Sequence, residues 1–405
     1  GTWFMVDGQT RPFLRAEYST TIRNAHQLQL MAMSPAALGA SYVLANDIDF
    51  TGQFNESGMW GSRGFAPIGQ TGGTFAGSLD GQGFTINALM LAPNNATMQS
   101  VGMFSTIGAG GSVSNLNFTN ANVAANIGFQ QPIEGQPISQ WVGILAGQSG
   151  GTITNVTATG TVSGLSAVGV IAGGLVGQHG ILGPGGVGGT ITNSHANVNV
   201  TVGDGAGDCM SFCMFNAAGG LVGVNVGGSS ISGSYAQGTI IGGAMTWAGG
   251  LVGQNGFFFP EGSIGTITNS YATGNVSAAG LDSAAGGLVG SNAPGSIITG
   301  SHATGTVAGS GGVAVGGLVG ENHGTVTTSY AMGSVTLTMA GATDSVAGGF
   351  VGSNQGTISD SYATGAVSSN NGDVILGGFA GFNEGSIANS YATGNVTATT
   401  PTLAM

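Results

Sequence analysis

The chain has 405 residues, 81 of them Gly and only 10 Pro, with 41% hydrophobic residues, 5% charged residues and a net charge of -12. Glycine at this level without a Gly-X-Y period excludes collagen, and the hydrophobic content excludes a disordered chain despite the low charge. Lys is absent and the four Arg (Arg11, Arg15, Arg23, Arg63) all precede residue 64, which excludes nucleic acid, a polyanion held by Lys and Arg, and disfavours anionic membranes and polyanionic sugars.

In chain order, residues 1–23 read as an N-terminal extension, a cap or donor segment, because Trp3, Phe4, Met5, Val6, Phe13 and Leu14 match nothing downstream. Asn24 to Pro35 is predicted as a short capping helix, with apolar Leu28, Leu30, Met31 and Met33 behind an Asn or Thr cap. Residues 24–141 are expected to form coils with degenerate repeats, Val101-Gly102-Met103-Phe104 and Val113-Ser114-Asn115-Leu116 being the clearest remnants. No apolar run is long enough to span a bilayer as a helix, and no basic segment followed by an apolar one opens the chain; a signal for export is expected to be removed or upstream.

From residue 142 to 396 one unit recurs: Gly-Gly-Leu-Val-Gly-x-Asn, a short link, then Thr-Ile-x-x-Ser-Tyr-Ala-Thr-Gly-x-Val. Its leading glycines are Gly143, Gly173, Gly219, Gly249, Gly286, Gly316, Gly348 and Gly377, most often 30 residues apart. A unit this short, dense in Val, Ile, Thr and Tyr and punctuated by Gly and Asn, is one coil of a β-solenoid. In Thr266 to Val276, Ser270, Ala272, Gly274 and Val276 share one parity and face in; Tyr271 faces out, and the opposite phase of Ile267 demands a bend near Thr268-Asn269.

Stacking turns each repeat position into a column. Asn225, Asn255, Asn292, Asn322, Asn354 and Asn383 are expected to form a structural amide ladder. Tyr235, Tyr271, Tyr330, Tyr362 and Tyr391 form an aromatic ladder, with Thr157, His195 and His302 in the same column. Such rings stabilise one another across strands or offer stacking faces to sugars. The two long intervals hold insertions, Gly203 to Asn216 and Gly256 to Gly262. Phe257, Phe258 and Phe259 in the second, with Met210 to Phe215 in the first, either contact a partner or fold back over the flank. Cys209 and Cys213 form a local disulfide or remain two thiols.

The Gly-Gly-Leu-Val-Gly block followed by Ser-Tyr-Ala-Thr-Gly resembles the GLUG repeat of filamentous haemagglutinin-like bacterial adhesins and some surface proteases. The upstream segments Asn24 to Leu30, Tyr42 to Asp49 and Leu79 to Gly83 resemble the leader that often precedes such repeats. The resemblance implies an all-β, right-handed parallel β-helix exposed on a bacterial surface, and no chemistry.

Catalytic, cofactor-binding and metal-binding residues are none in this reading. Asp344, Asp360 and Asp373 are solvated turn acids, His179, His195, His302 and His323 sit in repeat positions, and Gly203 to Asp208 matches no calcium loop. A column with Thr159, Asn197, Gln237, Thr273, Thr304, Met332, Thr364 and Thr393 is too irregular for ice. The last repeat runs into a tail, 397–405, without a cap, as expected of a piece of a longer fibre or of a subunit joined head to tail. The sequence therefore predicts a noncatalytic extracellular or cell-surface fibre for adhesion, aggregation or biofilm matrix. Expected partners are itself, end to end, or other surface components, and host or matrix glycans are the alternative; neither nucleic acid nor membrane insertion is expected.

Overall fold

A computed structural model describes residues 2–70, 73–129, 139–165, 169–182, 186–205, 215–258, 263–338, 345–370 and 374–399. One coil of the stack shows why the repeat folds as it does. Val313–Gly316 is a strand; Gly317 and Leu318 turn the chain; Val319–Asn322 is the second strand, and Thr325–Thr327, Tyr330–Ala331 and Val335–Thr338 complete the circuit. Each strand pairs in parallel with its equivalent in the next coil, Gly316 with Gly348, Asn322 with Asn354, Tyr330 with Tyr362 and Val335 with Val367.

The result is a right-handed parallel β-helix. Two of its sheets have nine strands each, running from Ser100–Val101 to Ile375–Gly377 and from Phe104–Ile107 to Ala380–Asn383. A third sheet carries the Ile, Tyr-Ala and Val strands and does not close on itself. At about 4.8 Å per coil, nine strands extend about 40 Å. Backbone groups are satisfied by the coils above and below, so the short units need no core of their own.

Inside, the columns are apolar. Ile231, Ile267, Ile298, Val326 and Ile358 stack fully buried, as do Leu221, Leu251, Leu288, Leu318 and Phe350. The expected bend falls at Asn269, whose φ is 47°, and the same left-handed corner recurs at Asn155, Asn193, Gly233, Gly300, Thr328, Asp360 and Asn389. Asn, Asp and Gly dominate that column because they tolerate positive φ best. Glycine has a different purpose in Val-Gly-x-Asn. A Cβ on Gly253 meets the Gly223 carbonyl at 2.7 Å and the Ala218 nitrogen at 2.8 Å, so the two nine-strand sheets pack backbone on backbone here.

The amino end differs from the single helix expected over 24–35. Two short helices form, Ala25–Leu30 capped by Asn24 and Pro35–Leu38 capped by Ser34. Ser34 and Pro35 are themselves a helix start, with a capping hydroxyl and a fixed φ, so the first helix stops before them. Trp3–Phe4 pairs antiparallel with Phe13–Leu14, and Phe13 enters a core with Trp60 and His26. The parallel stack begins at Thr21–Ile22, which pairs with Val43 and Leu44.

Candidate functional site

Three ladders run along the solenoid, and the repeat explains each. In the amide ladder Nδ2 of each Asn donates to Oδ1 of the next: Asn225 to Asn255 (2.8 Å), Asn255 to Asn292 (2.9 Å), Asn292 to Asn322 (2.8 Å), Asn322 to Asn354 (2.8 Å) and Asn354 to Asn383 (2.7 Å). The second Nδ2 hydrogen turns to a carbonyl in the following turn, that of Gly265 for Asn255 and of Gly324 for Asn322. Amide chains of this kind are strong because burial removes water as a competitor. The ladder has a defective start. His179 and Ser149 precede Asn225 in the same column, and both Nε2 of His179 and Oδ1 of Asn225 lack partners.

The aromatic column holds His195, Tyr235, Tyr271, His302, Tyr330, Tyr362 and Tyr391 in register. Their centroids are 3.9 to 5.5 Å apart and adjacent planes lie within 17° of parallel. Each interior ring thus spends both faces on its neighbours and shows solvent only its edge. Sugar stacking needs an open face, and the interior rings of this column have none, so they brace the coil. Partial burial lowers the pKa of His195 and His302, keeping the ladder uncharged.

A third ladder was hidden in the first Ser of Ser-Tyr-Ala-Thr-Gly. The backbone N–H of each Ser donates to Oγ of the Ser one coil on, Ser234 to Ser270, Ser270 to Ser301 and Ser301 to Ser329, all at 3.2 Å. Each hydroxyl then donates to a carbonyl two residues back in its own coil, as Ser270 does to Thr268 at 2.8 Å. These bonds brace the left-handed corner. The signal was available: a polar residue repeated at an inward-facing position must have a repeated partner.

Phe257 packs on the flank against a small cluster of Ile171, Ala217, Val224 and Val226. The Phe258 ring meets His323 edge-on at 4.9 Å. Both are half-buried, so they lie over the solenoid; Phe259, Cys209, Cys213, Asp344 and Asp373 are outside the described residues. Asp360 accepts from Asn389, and Asp204 accepts from the Ala244 N–H at 2.8 Å. A shallow cavity of about 230 Å3 at the amino end is lined by Asp7, Gln9, Arg63, Phe65, Asn94 and Asn95, among others. Among the described residues no helix is long and apolar enough to cross a membrane.

Comparison with known proteins agrees with the repeat. The family model described as the GLUG motif matches residues 216–241, 248–277, 282–308, 343–368 and 372–397. Five of the eight repeats are therefore matched; the coil from Val313 to Thr338 is not, although it pairs in register with its neighbours. Halomucin of Haloquadratum walsbyi is 36% identical over 148 residues, 36% of this chain and 1% of that protein. A protein named "Putative Gly-rich membrane protein" from Evansella cellulosilytica is 33% identical over 119 residues, 29% of this chain and 12% of that one. The chain thus spans only a small part of the length of these relatives. Among solved structures, a "putative immunoglobulin A1 protease" from Bacteroides ovatus has TM-score 0.41 and 18% identity, covering 92% of this chain and 84% of that one. An "IgA1 Protease" has TM-score 0.38 and 15% identity, covering 85% and 21%. The chain thus carries five matches to the GLUG motif, and these matches do not extend to the filamentous haemagglutinin type.

Proposed function

We propose that this chain is a noncatalytic segment of a cell-surface or extracellular protein and acts as a stiff fibre in adhesion, aggregation or matrix formation. One observation carries the reading: the buried amide ladder keeps a single hydrogen-bonded register through six successive coils, from Asn225 to Asn383. Such a column resists bending and slippage, since displacing any one interior coil breaks the amide bonds to both of its neighbours. The Evansella relative is named as a membrane protein, which supports a surface location for this one. The aromatic column, its faces covered, favours the structural reading over a glycan-binding stalk.

Electron microscopy of the purified chain at rising concentration tests this. Unbranched filaments, or rigid rods of uniform length, are expected; globular or flexible particles overturn the reading. A glycan array distinguishes the stalk alternative, and specific retention of one sugar there moves the function to recognition.

A further inference from the structure

The two nine-strand sheets pack closely against each other, and Trp247 on one sheet lies against the neighbouring column of the other, within hydrogen-bond reach of Glu321. In that column Gln254, Ser291 and Glu321 follow one another on successive coils. Gln254 is 1% exposed and Ser291 0%. Neither amide atom of Gln254 nor Oγ of Ser291 has a hydrogen-bond partner. Glu321 accepts a hydrogen bond from Trp247, and Asp282 adds negative charge nearby; burial is the largest influence on Glu321 and pushes its carboxyl up to about 7. The chain has no Lys and no Arg beyond Arg63, and among the described residues Glu321 has no ion pair.

A buried carboxylate is stable when paired with a cation or when neutral, and orphaned buried polar atoms mark a missing water or ion. A proton on Glu321 settles its charge but leaves the oxygens of Ser291 and Gln254 unpartnered. A cation settles all three together. The side-chain lengths suit one ion, long, short, long: Ser291 lies on the strand between those of Gln254 and Glu321, which are about 10 Å apart. All the donors are oxygen, the choice of hard cations.

We propose that Gln254, Ser291 and Glu321 hold a hard cation of the calcium class between them, with Asp282 contributing charge at the exposed rim. With so few protein ligands, affinity falls in the weak range of extracellular modules, a Kd of about 10⁻⁴ to 10⁻³ M.

Terbium titration of the full chain with tryptophan excitation tests the site, because Trp247 is bonded to a ligand. Saturable sensitised emission, displaced by calcium, is expected. Glu321→Gln, nearly isosteric, is expected to abolish both the emission and the heat of calcium binding; Trp247→Phe is expected to remove the emission and leave the heat. Absence of saturable emission in the parent chain overturns the proposal. So does emission that survives Glu321→Gln, since the ion then sits on other acids. Should either variant lose its β circular dichroism, Ser291→Ala replaces it, with an expected several-fold weaker affinity; unchanged affinity overturns the site. The readout is ion binding and does not depend on filament formation.

Discussion

The amino-terminal coils and the repeats share a backbone geometry but fill it by opposite means. Before residue 130 the interior holds Trp60, Tyr42, Phe13, Phe50, Phe75, Phe104 and Phe118, all fully buried. Phe50, Phe54, Phe65 and Trp60 touch ring to ring at 5.1 to 6.3 Å, and each pair has its own angle. Beyond residue 139 the interior is built from columns of Ile, Leu, Val, Ala and Ser, and Phe350 is its largest fully buried side chain among the described residues. One region is an irregular jigsaw and the other a crystal in one dimension. In the jigsaw a side chain fits one place only, whereas in the columns it must match the residue above and the residue below.

The largest effect is expected where the jigsaw is tightest. Trp60 donates Nε1 to Gln29 Oε1 at 2.7 Å, and Gln29 in turn donates to the Ala66 carbonyl at 2.9 Å. Trp60→Ala removes the central ring and leaves Gln29 Oε1 with the longer bond from the Ala66 N–H, 3.3 Å. The loss is expected to be about 5 kcal/mol, mainly from the cavity and the lost ring contacts. Hydrogen exchange checks the comparison directly. Protection should collapse before residue 130 and persist in the distal coils, because coils couple mainly to neighbours; uniform loss would show that the two regions fold as one unit.

Within the columns, the same kind of damage should depend on position. Asn292→Leu leaves Asn255 Nδ2 without its acceptor and Asn322 Oδ1 without its donor, both buried. Two such groups cost about 4 kcal/mol. Asn383 ends the ladder in an exposed position, so Asn383→Ala should cost less than about 1 kcal/mol. Denaturant midpoints of the two variants decide whether the ladder acts cooperatively.

The repeat made most of the second region legible and almost none of the first. The recurrence of Asn225 through Asn383 at the same place in each repeat identifies a column from the sequence, since a solenoid forces equivalent positions together. The Tyr column was equally visible, but its consequence was not: only the ring planes show that the faces are consumed by stacking. The Ser ladder was overlooked because small residues at inward positions read as filler. In the amino-terminal coils no position recurs, so nothing in the sequence shows that Gln29 bridges Trp60 and Ala66. Glu321 was equally hidden, as its column neighbours Gln254 and Ser291 carry no charge and so mark no acidic column.

The defective start of the amide ladder gives a pH test. His179 is fully buried, its Nδ1 lies 3.1 Å from the Ser149 carbonyl, and burial lowers its pKa to about 4. In the unfolded chain it takes up a proton near the ordinary value of 6.5. Between these values the unfolded state binds more protons, so stability is complete above about pH 6.5 and falls as the pH drops through about 4. The loss is about 3 kcal/mol. His179→Asn should flatten this profile and also supply a donor to Asn225 Oδ1, gaining about 1 kcal/mol at neutral pH. Urea titrations at pH 7 and pH 4.5 on both chains measure the difference; an unchanged acid slope would assign it to carboxylates.

The smallest effect is expected where a buried Phe stands in a column of Leu. Phe350 occupies the column of Leu221, Leu251, Leu288 and Leu318, and its ring stacks on Phe379 at 4.7 Å with the planes 8° apart. Phe350→Leu restores the residue of the coil beneath it, so the space is already shaped for the substitution and the loss is mainly the ring pair, about 1 kcal/mol. In the jigsaw the same change has no such template. Phe75 lies against Phe104 at 4.5 Å and Tyr42 at 6.5 Å, and Phe75→Leu should cost roughly twice as much, because no neighbouring coil shows how a Leu would fit there. Equal losses at the two sites, measured by thermal unfolding, would mean that repetition confers no tolerance, and the distinction between column and jigsaw would have to be abandoned.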